Sequence, residues 1–210
     1  MSPLRIAAAL ATLVIPLLVA PAGAVEAPAE PQQVVQLFQD SLIAAMKQGP
    51  QAGYAGRYRL LEPALKQAFD FDTIAMVVLG QYWPQLQPTQ RTAFVDIFSR
   101  LSIATYASRF DTYSGEYFSP PKLGKASDDR AIVHSDLIDG EDNTVSFTYQ
   151  MRKSDGQWRI INVIASGVSD LAVKRAEYTE IIKNNSFDTL FDRLKQKIAA
   201  YAAAKPADAP

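Results

Sequence analysis

Thr144-Val145-Ser146-Phe147-Thr148-Tyr149-Gln150-Met151 runs through Arg152-Lys153-Ser154 to Asp155-Gly156, and then into Gln157-Trp158-Arg159-Ile160-Ile161-Asn162-Val163-Ile164-Ala165. In the first half Val145, Phe147, Tyr149 and Met151 alternate with Thr144, Ser146, Thr148 and Gln150. Side chains alternate sides along a strand, so this pattern predicts a strand with one buried face. Asp-Gly between two such runs is a tight-turn signal, and the pair reads as an antiparallel hairpin. In the second strand the simple alternation puts Trp158, Ile160 and Ile164 on one face, with Ile161 and Val163 on the other. Working upstream, Ala131–Leu137 adds a strand, and Tyr113–Phe118 and Lys122–Ala126 add shorter ones. The short connections imply an antiparallel sheet.

On both sides of this block the period changes from two to that of a helix. Before it, Val34, Leu37, Phe38 and Leu42 recur at helical spacing after Pro31, a residue suited to a first turn. A second helix is expected over 51–67 with Tyr54, Tyr58, Leu61 and Leu65, and Pro63 marks a place for a kink or split. A short helix follows over Phe71–Leu79, closed by Gly80, and Tyr82-Trp83-Pro84 reads as a turn. A long helix from Pro88 to Phe110 carries Phe94, Ile97, Phe98, Leu101, Ala104 and Thr105 as its buried stripe. After the sheet, one helix is expected over Ser169–Lys183 with Leu171, Tyr178 and Ile182 inward. Ser186 then caps a final helix carrying Phe187, Leu190, Phe191, Leu194 and Ile198. Helices, a sheet, then helices read as an α+β fold with the sheet covered on one face.

The ends of the chain are a separate matter. Arg5 precedes an apolar run from Ile6 to Val19 and the small-x-small pattern Ala22-Gly23-Ala24, the layout of a cleavable secretory signal peptide. The run, about 14 residues, is shorter than the roughly 20 of a membrane-spanning helix. Residues 1–24 are therefore read as a signal peptide, 25–204 as a single domain and 205–210 as a disordered tail rich in Ala and Pro. Arg5 is the only charge in the leader, so 21 basic residues become 20 against 22 acidic ones. That balance is no footprint for nucleic acid. With no cysteine there is no disulfide, thiol nucleophile or cysteine metal site. The even charge and the lack of a heptad seam point to a monomer.

The residues offer little to catalysis. His134, the single histidine, shares a strand face with Asp136, and such a pair could move a proton. One histidine falls short of the common zinc sets, and no nucleophile motif accompanies it. Asp70 and Asp72 flank Phe71 where they suit helix capping and the first-turn dipole. Asp128-Asp129 and Glu141-Asp142 read as solvated loop charge. No phosphate-binding glycine loop is present, and nothing calls for a cofactor. What stands out is apolar and aromatic content: a curved sheet covered by helices leaves room for a cavity, and apolar cavities suit apolar ligands.

Several segments in order resemble one family. Phe69-Asp70-Phe71-Asp72-Thr73-Ile74, Leu79-Gly80-Gln81-Tyr82-Trp83, Leu86–Phe94, Tyr106-Ala107-Ser108-Arg109-Phe110, Trp158-Arg159-Ile160-Ile161-Asn162-Val163 and Gly167-Val168-Ser169 look like the MlaC (toluene-tolerance) periplasmic phospholipid carriers. Tyr106–Phe118 and Leu171–Tyr178 look closest to the hopanoid-associated HpnM branch. The resemblance implies a curved antiparallel sheet packed by several helices around an apolar cavity, of the MlaC and NTF2-like type. It also implies a lipid shuttle between an outer-membrane lipoprotein complex and an inner-membrane lipid transporter, with transient membrane contact. Phospholipid or a hopanoid is then the cargo. Asn162 stands where the family usually has Asp. Under this reading the candidate lipid-binding residues are Ile74, Val78, Phe94, Phe98, Leu101, Phe147, Tyr149, Trp158 and Ile160. Two rival readings remain: a non-catalytic adaptor with a filled core, and an isomerase-type enzyme built on His134 or Asp136.

Overall fold

A computed structural model describes residues 30–204 apart from residue 142. The expected signal peptide, the expected tail and the Asp142 half of the Glu141-Asp142 turn lie outside the described residues. The elements run α1 (Pro31–Ala68), α2 (Phe71–Leu79), a 3-10 turn (Gly80–Gln85), α3 (Pro88–Arg109), β1 (Tyr117–Phe118), β2 (Lys122–Ala126), β3 (Arg130–Ile138), β4 (Thr144–Ser154), β5 (Gln157–Ala165), β6 (Val168–Ser169), α4 (Asp170–Asn184) and α5 (Phe187–Ala203). No helix among the described residues is long and apolar enough to cross a membrane.

The sheet is antiparallel in the order β1-β3-β4-β5-β6, with β2 also on β3. Asp155 and Gly156 close the β4–β5 hairpin with φ of 51° and 77°, the left-handed values that a two-residue hairpin turn requires. Register places Ala131, Val133, Ser135 and Leu137 of β3 opposite Met151, Tyr149, Phe147 and Val145 of β4. These residues form the helix-covered face, where Ala131, Val133, Ser135, Tyr149 and Met151 are buried.

In β5 the expected alternation breaks. Met151 pairs with Ile160, yet Gln150 pairs with Asn162, so Ile161 is an extra residue in a β-bulge. A bulge moves every later side chain to the other face. Val163 therefore stands opposite Tyr149 and Ala165 opposite Phe147 on the covered face, while Ile164 stands opposite Thr148 on the outer one. The expected grouping of Trp158, Ile160 and Ile164 thus holds for the first two only, and Val163 joins them.

The two helices expected over 31–67 form one helix with an interruption. Its non-helical residues are Gly49 (φ 39°, ψ −131°) and Gly53 (φ 60°, ψ 179°). These are backbone conformations that glycine reaches most readily. Pro63 lies on the exposed side and the helix passes through it, so the break expected there falls at the glycines instead. Arg57 is buried and spans the break. Its Nε donates to the Ala107 carbonyl at 2.8 Å and its Nη1 to the Gly49 carbonyl at 3.0 Å. Leu37, expected with the buried stripe, is 55% exposed. Tyr82-Trp83-Pro84, expected as a turn, lies within the 3-10 segment.

The core lies between the sheet and the helices. Phe38 meets Phe69 edge-on at 5.1 Å and Tyr106 at 5.3 Å, and Phe94 stacks on Phe98 at 5.9 Å beside Tyr178. Ser169 and Ser186 cap α4 and α5 through their side chains. In α4 Tyr178 and Ile181 are the buried residues, whereas Ile182, expected inward, only packs against the core's edge.

Candidate functional site

Each end of the β4–β5 hairpin carries a large depression lined by described residues. At the turn end a groove of about 900 Å³ lies among α2, α3 and the hairpin. Its wall includes Asp70, Asp72, Arg91, Asp96, Arg152 and Arg159. Most of these side chains already have partners. Asp70 caps α2, accepting from Thr73 N at 2.9 Å and Thr73 Oγ1 at 2.7 Å. Arg152 donates to Thr73 Oγ1 at 2.7 Å and approaches Asp70 at 3.8 Å. Arg159 donates to the last carbonyls of α1, those of Lys66 and Gln67. Arg91 donates to Trp83 and Pro84 carbonyls and lies over the Trp83 ring. This groove is the larger; its polar groups brace the fold, and Phe69, Phe71, Trp83 and Val95 supply the apolar part of its wall.

The cavity at the opposite end has a volume of about 660 Å³. Leu137, Val145, Phe147, Val163 and Ala165 form its sheet side, and Met46, Tyr106 and Phe110 form its helix side. The β5 bulge is what turns Val163 and Ala165 into it. Helix α3 also presents Ser102 and Thr105 here, but each hydroxyl donates to a carbonyl one turn back, Phe98 at 2.9 Å and Leu101 at 2.8 Å. A smaller pocket continues inward, sharing Ser102, Tyr106, Val163, Asp170 and Lys174, and reaching Phe69, Phe71, Ile74, Phe98 and Leu171. The mouth is rimmed by Val168 (60% exposed), Val173 (53%) and the charged residues Arg109, Glu116, Asp139, Asp170 and Lys174.

Tyr106 is half-buried on the wall of both pockets, while Tyr149 and Tyr178 are buried in the core outside them. Burial raises the pKa of Tyr106, Tyr149 and Tyr178 above the usual phenol value. Nearby Tyr149 and Asp170 reinforce the effect at Tyr106, and the hydrogen bond from Gln39 to the Tyr149 hydroxyl at 3.0 Å opposes it at Tyr149. All three are neutral phenols at neutral pH.

Of the nine candidate residues, the structure places Phe147 on the wall of the larger cavity, and Ile74 and Phe98 on the smaller pocket. Val78, Phe94, Leu101, Tyr149, Trp158 and Ile160 are buried in the core, outside both linings. Sequence reasoning missed Tyr106, Phe110, Val145 and Val163. Val145 shares the alternation that selects Phe147, so the signal for it was present. Val163 was hidden by the bulge.

His134 is exposed on the outer face, its Nδ1 3.0 Å from Thr148 Oγ1 and its ring close against Gly124. Asp136 shares that face, so neither of the two strand candidates for proton transfer reaches the cavity. Asn162 is buried and joins three elements. Its Oδ1 accepts from Ser169 Oγ at 3.1 Å and Leu171 N at 3.4 Å, and its Nδ2 donates to Gln150 Oε1 at 3.1 Å. An amide supplies both roles, whereas a carboxylate would supply only the acceptor.

Fold and site together define an α+β protein that keeps an apolar cavity between a bulged antiparallel sheet and its covering helices, with a charged rim. The model of the MlaC protein family matches residues 36–196, and the chain belongs to that family. A curated relative, the intermembrane phospholipid transport system binding protein MlaC of Haemophilus influenzae, is 24% identical over 125 residues. The match covers 57% of this chain and 58% of that protein, so the chain spans well under two thirds of its relative. The phospholipid-binding protein from Ralstonia solanacearum, solved in complex with a phospholipid, superposes with a TM-score of 0.72 at 22% identity. That alignment covers 82% of this chain and 99% of the other, and bears out the fold. Both relatives are named as binding proteins, not enzymes.

Proposed function

We propose that this chain is a periplasmic lipid carrier that holds the acyl chains of a phospholipid in the cavity at the open end of the β4–β5 hairpin. The observation that carries this is the 660 Å³ cavity with its wall of Leu137, Val145, Phe147 and Val163. The volume lies within the roughly 300–1,000 Å³ of ligand sites. Covering a methylene gains about 0.8 kcal/mol, so a dozen buried methylenes gain on the order of 10 kcal/mol without any directional bond. Such binding tolerates different chains and leaves the headgroup in water. Membership of the MlaC family and the two phospholipid-binding relatives support the cargo class.

Residues 1–24 direct export, residues 25–204 act as one lipid-binding domain, and the chain works as a monomer between an outer-membrane lipoprotein complex and an inner-membrane transporter. Exposed Val168 and Val173 at the mouth give transient membrane contact an apolar footing. A hopanoid cargo, as in the HpnM branch, is the alternative within this class. Among the nine candidates, Ile74, Phe98 and Phe147 line these pockets, which supports assigning them the contact with cargo. The test is organic extraction and mass spectrometry of the protein expressed from the full chain and purified without detergent. About one phospholipid per protein is expected, and a hopanoid in its place would move the cargo to the other branch. A protein free of lipid, and still empty after incubation with vesicles, overturns the carrier reading.

A further inference from the structure

Five charged residues line the cavity, and the helix side carries two cations against the single carboxylate of Asp170 while the sheet side carries only carboxylates. The helices supply Arg109, the last residue of α3, and Lys174 of α4, whose Nζ lies 2.8 Å from Asp170. The sheet supplies Glu116, just ahead of β1, and Asp139, just beyond β3. The antiparallel pairing of Tyr117 with Ile138, continued by one residue, sets Glu116 opposite Asp139. Like charges facing each other across two strands are unfavourable.

Neither carboxylate has a cationic partner among the described residues, and both line the same cavity. Glu116 accepts from Ser114 N at 2.6 Å. Asp139 accepts from Glu141 N, Asn143 N and Asn143 Nδ2, and these bonds hold its carboxyl below the usual carboxylate range. Arg109 in turn has no carboxylate within ion-pair distance among the described residues. Tyr106 lines both the cavity and its inner pocket, and its hydroxyl has no hydrogen-bond partner among the described residues.

Resting on the carrier reading, we infer that this cavity selects a zwitterionic phospholipid, with the headgroup ammonium beside Glu116 and Asp139 and the phosphate on the Arg109 side. An ammonium between the two carboxylates relieves their repulsion. A phosphate near Arg109 gains an ionic contact, and the Tyr106 hydroxyl is placed to donate to an oxygen of the glycerol ester region. An anionic headgroup with no amine brings negative charge to the carboxylates and leaves them unrelieved. An uncharged polyol headgroup meets neither side of the rim.

The rim is wet, so the discrimination is modest. Exposed ionic contacts are each worth a fraction of a kcal/mol, which corresponds to about threefold in an equilibrium. The experiment offers protein stripped of lipid to vesicles of equimolar phosphatidylethanolamine and phosphatidylglycerol with matched acyl chains. The bound lipids are then extracted and their ratio measured. The ratio within one sample is independent of how much protein is folded. Phosphatidylethanolamine is expected about threefold enriched, and Glu116→Gln is expected to return the ratio towards one. Arg109→Gln removes a contact that both headgroups share, so it should lower occupancy while the enrichment persists. Equal or reversed uptake by the unaltered protein, or an enrichment unchanged in Glu116→Gln, overturns headgroup selection while leaving the carrier reading intact. Uptake of neither lipid overturns both.

Discussion

The two ends of the β4–β5 hairpin are built from the same pair of strands and differ in how their surroundings are finished. At the turn end Asp70, Thr73 and Arg152 join α2 to β4, and Arg159 holds the end of α1. At the other end Phe147, Val163 and Ala165 face a cavity whose opposite side is formed by Met46, Tyr106 and Phe110 of the helical layer. One end is tied with polar bonds and the other is left open with apolar wall. Under the carrier proposal this separation lets the fold stay intact while its cavity fills and empties, because local stability need not be uniform.

The sharpest way to break the comparison is to place a charge in each region. Phe94→Asp puts a carboxylate at a fully buried site and is expected to abolish the fold, at a cost exceeding about 5 kcal/mol. Phe147→Asp puts the same group on a wall that water already reaches, so the protein is expected to fold and lose most of its lipid. Circular dichroism and lipid extraction on both variants decide this, and equal behaviour would erase the distinction. Arg57→Met comes next. It leaves the Ala107 and Gly49 carbonyls short of a buried donor and should cost about 3 kcal/mol in urea unfolding. Asp70→Ala removes a helix cap at the tied end and should cost about 1–2 kcal/mol without changing lipid content.

How far these regions were legible follows from particular residues. The α+β order, the hairpin at Asp155-Gly156 and the strand Thr144–Met151 were plain, because alternation and turn chemistry are local signals. The bulge at Ile161 was not, because two apolar residues in succession fit either face and only pairing with Gln150 and Met151 decides between them. That single insertion moved Val163 into the cavity wall. The same limit applied to the site: Phe94, Leu101 and Ile160 carry the same apolar signature as Phe147, and only the end of the sheet at which each sits separates core from cavity wall. Pro63 misled for another reason. A glycine pair at Gly49 and Gly53, bridged by Arg57, supplied a better place to bend.

The smallest effect near neutral pH concerns the buried tyrosines. Their folded pKa values lie above the unfolded one, so the stability they contribute is fully present below about pH 10 and is lost as pH rises beyond it. Urea midpoints should therefore hold level from pH 7 to 9 and fall above pH 10, with a shallower fall in Tyr149→Phe. A fall starting near pH 8 would mean that these phenols are less sheltered than their burial indicates.

The most direct test of the central claim is to find where the acyl chains lie. A phospholipid with a photoreactive group at the end of one chain can be loaded, irradiated, and its attachment mapped by mass spectrometry. Attachment at Leu137, Phe147, Val163 or the adjoining Ile74 and Phe98 is the predicted result. Attachment at Asp72, Arg91 or Ser154 would place the lipid in the polar groove at the tied end and contradict the account.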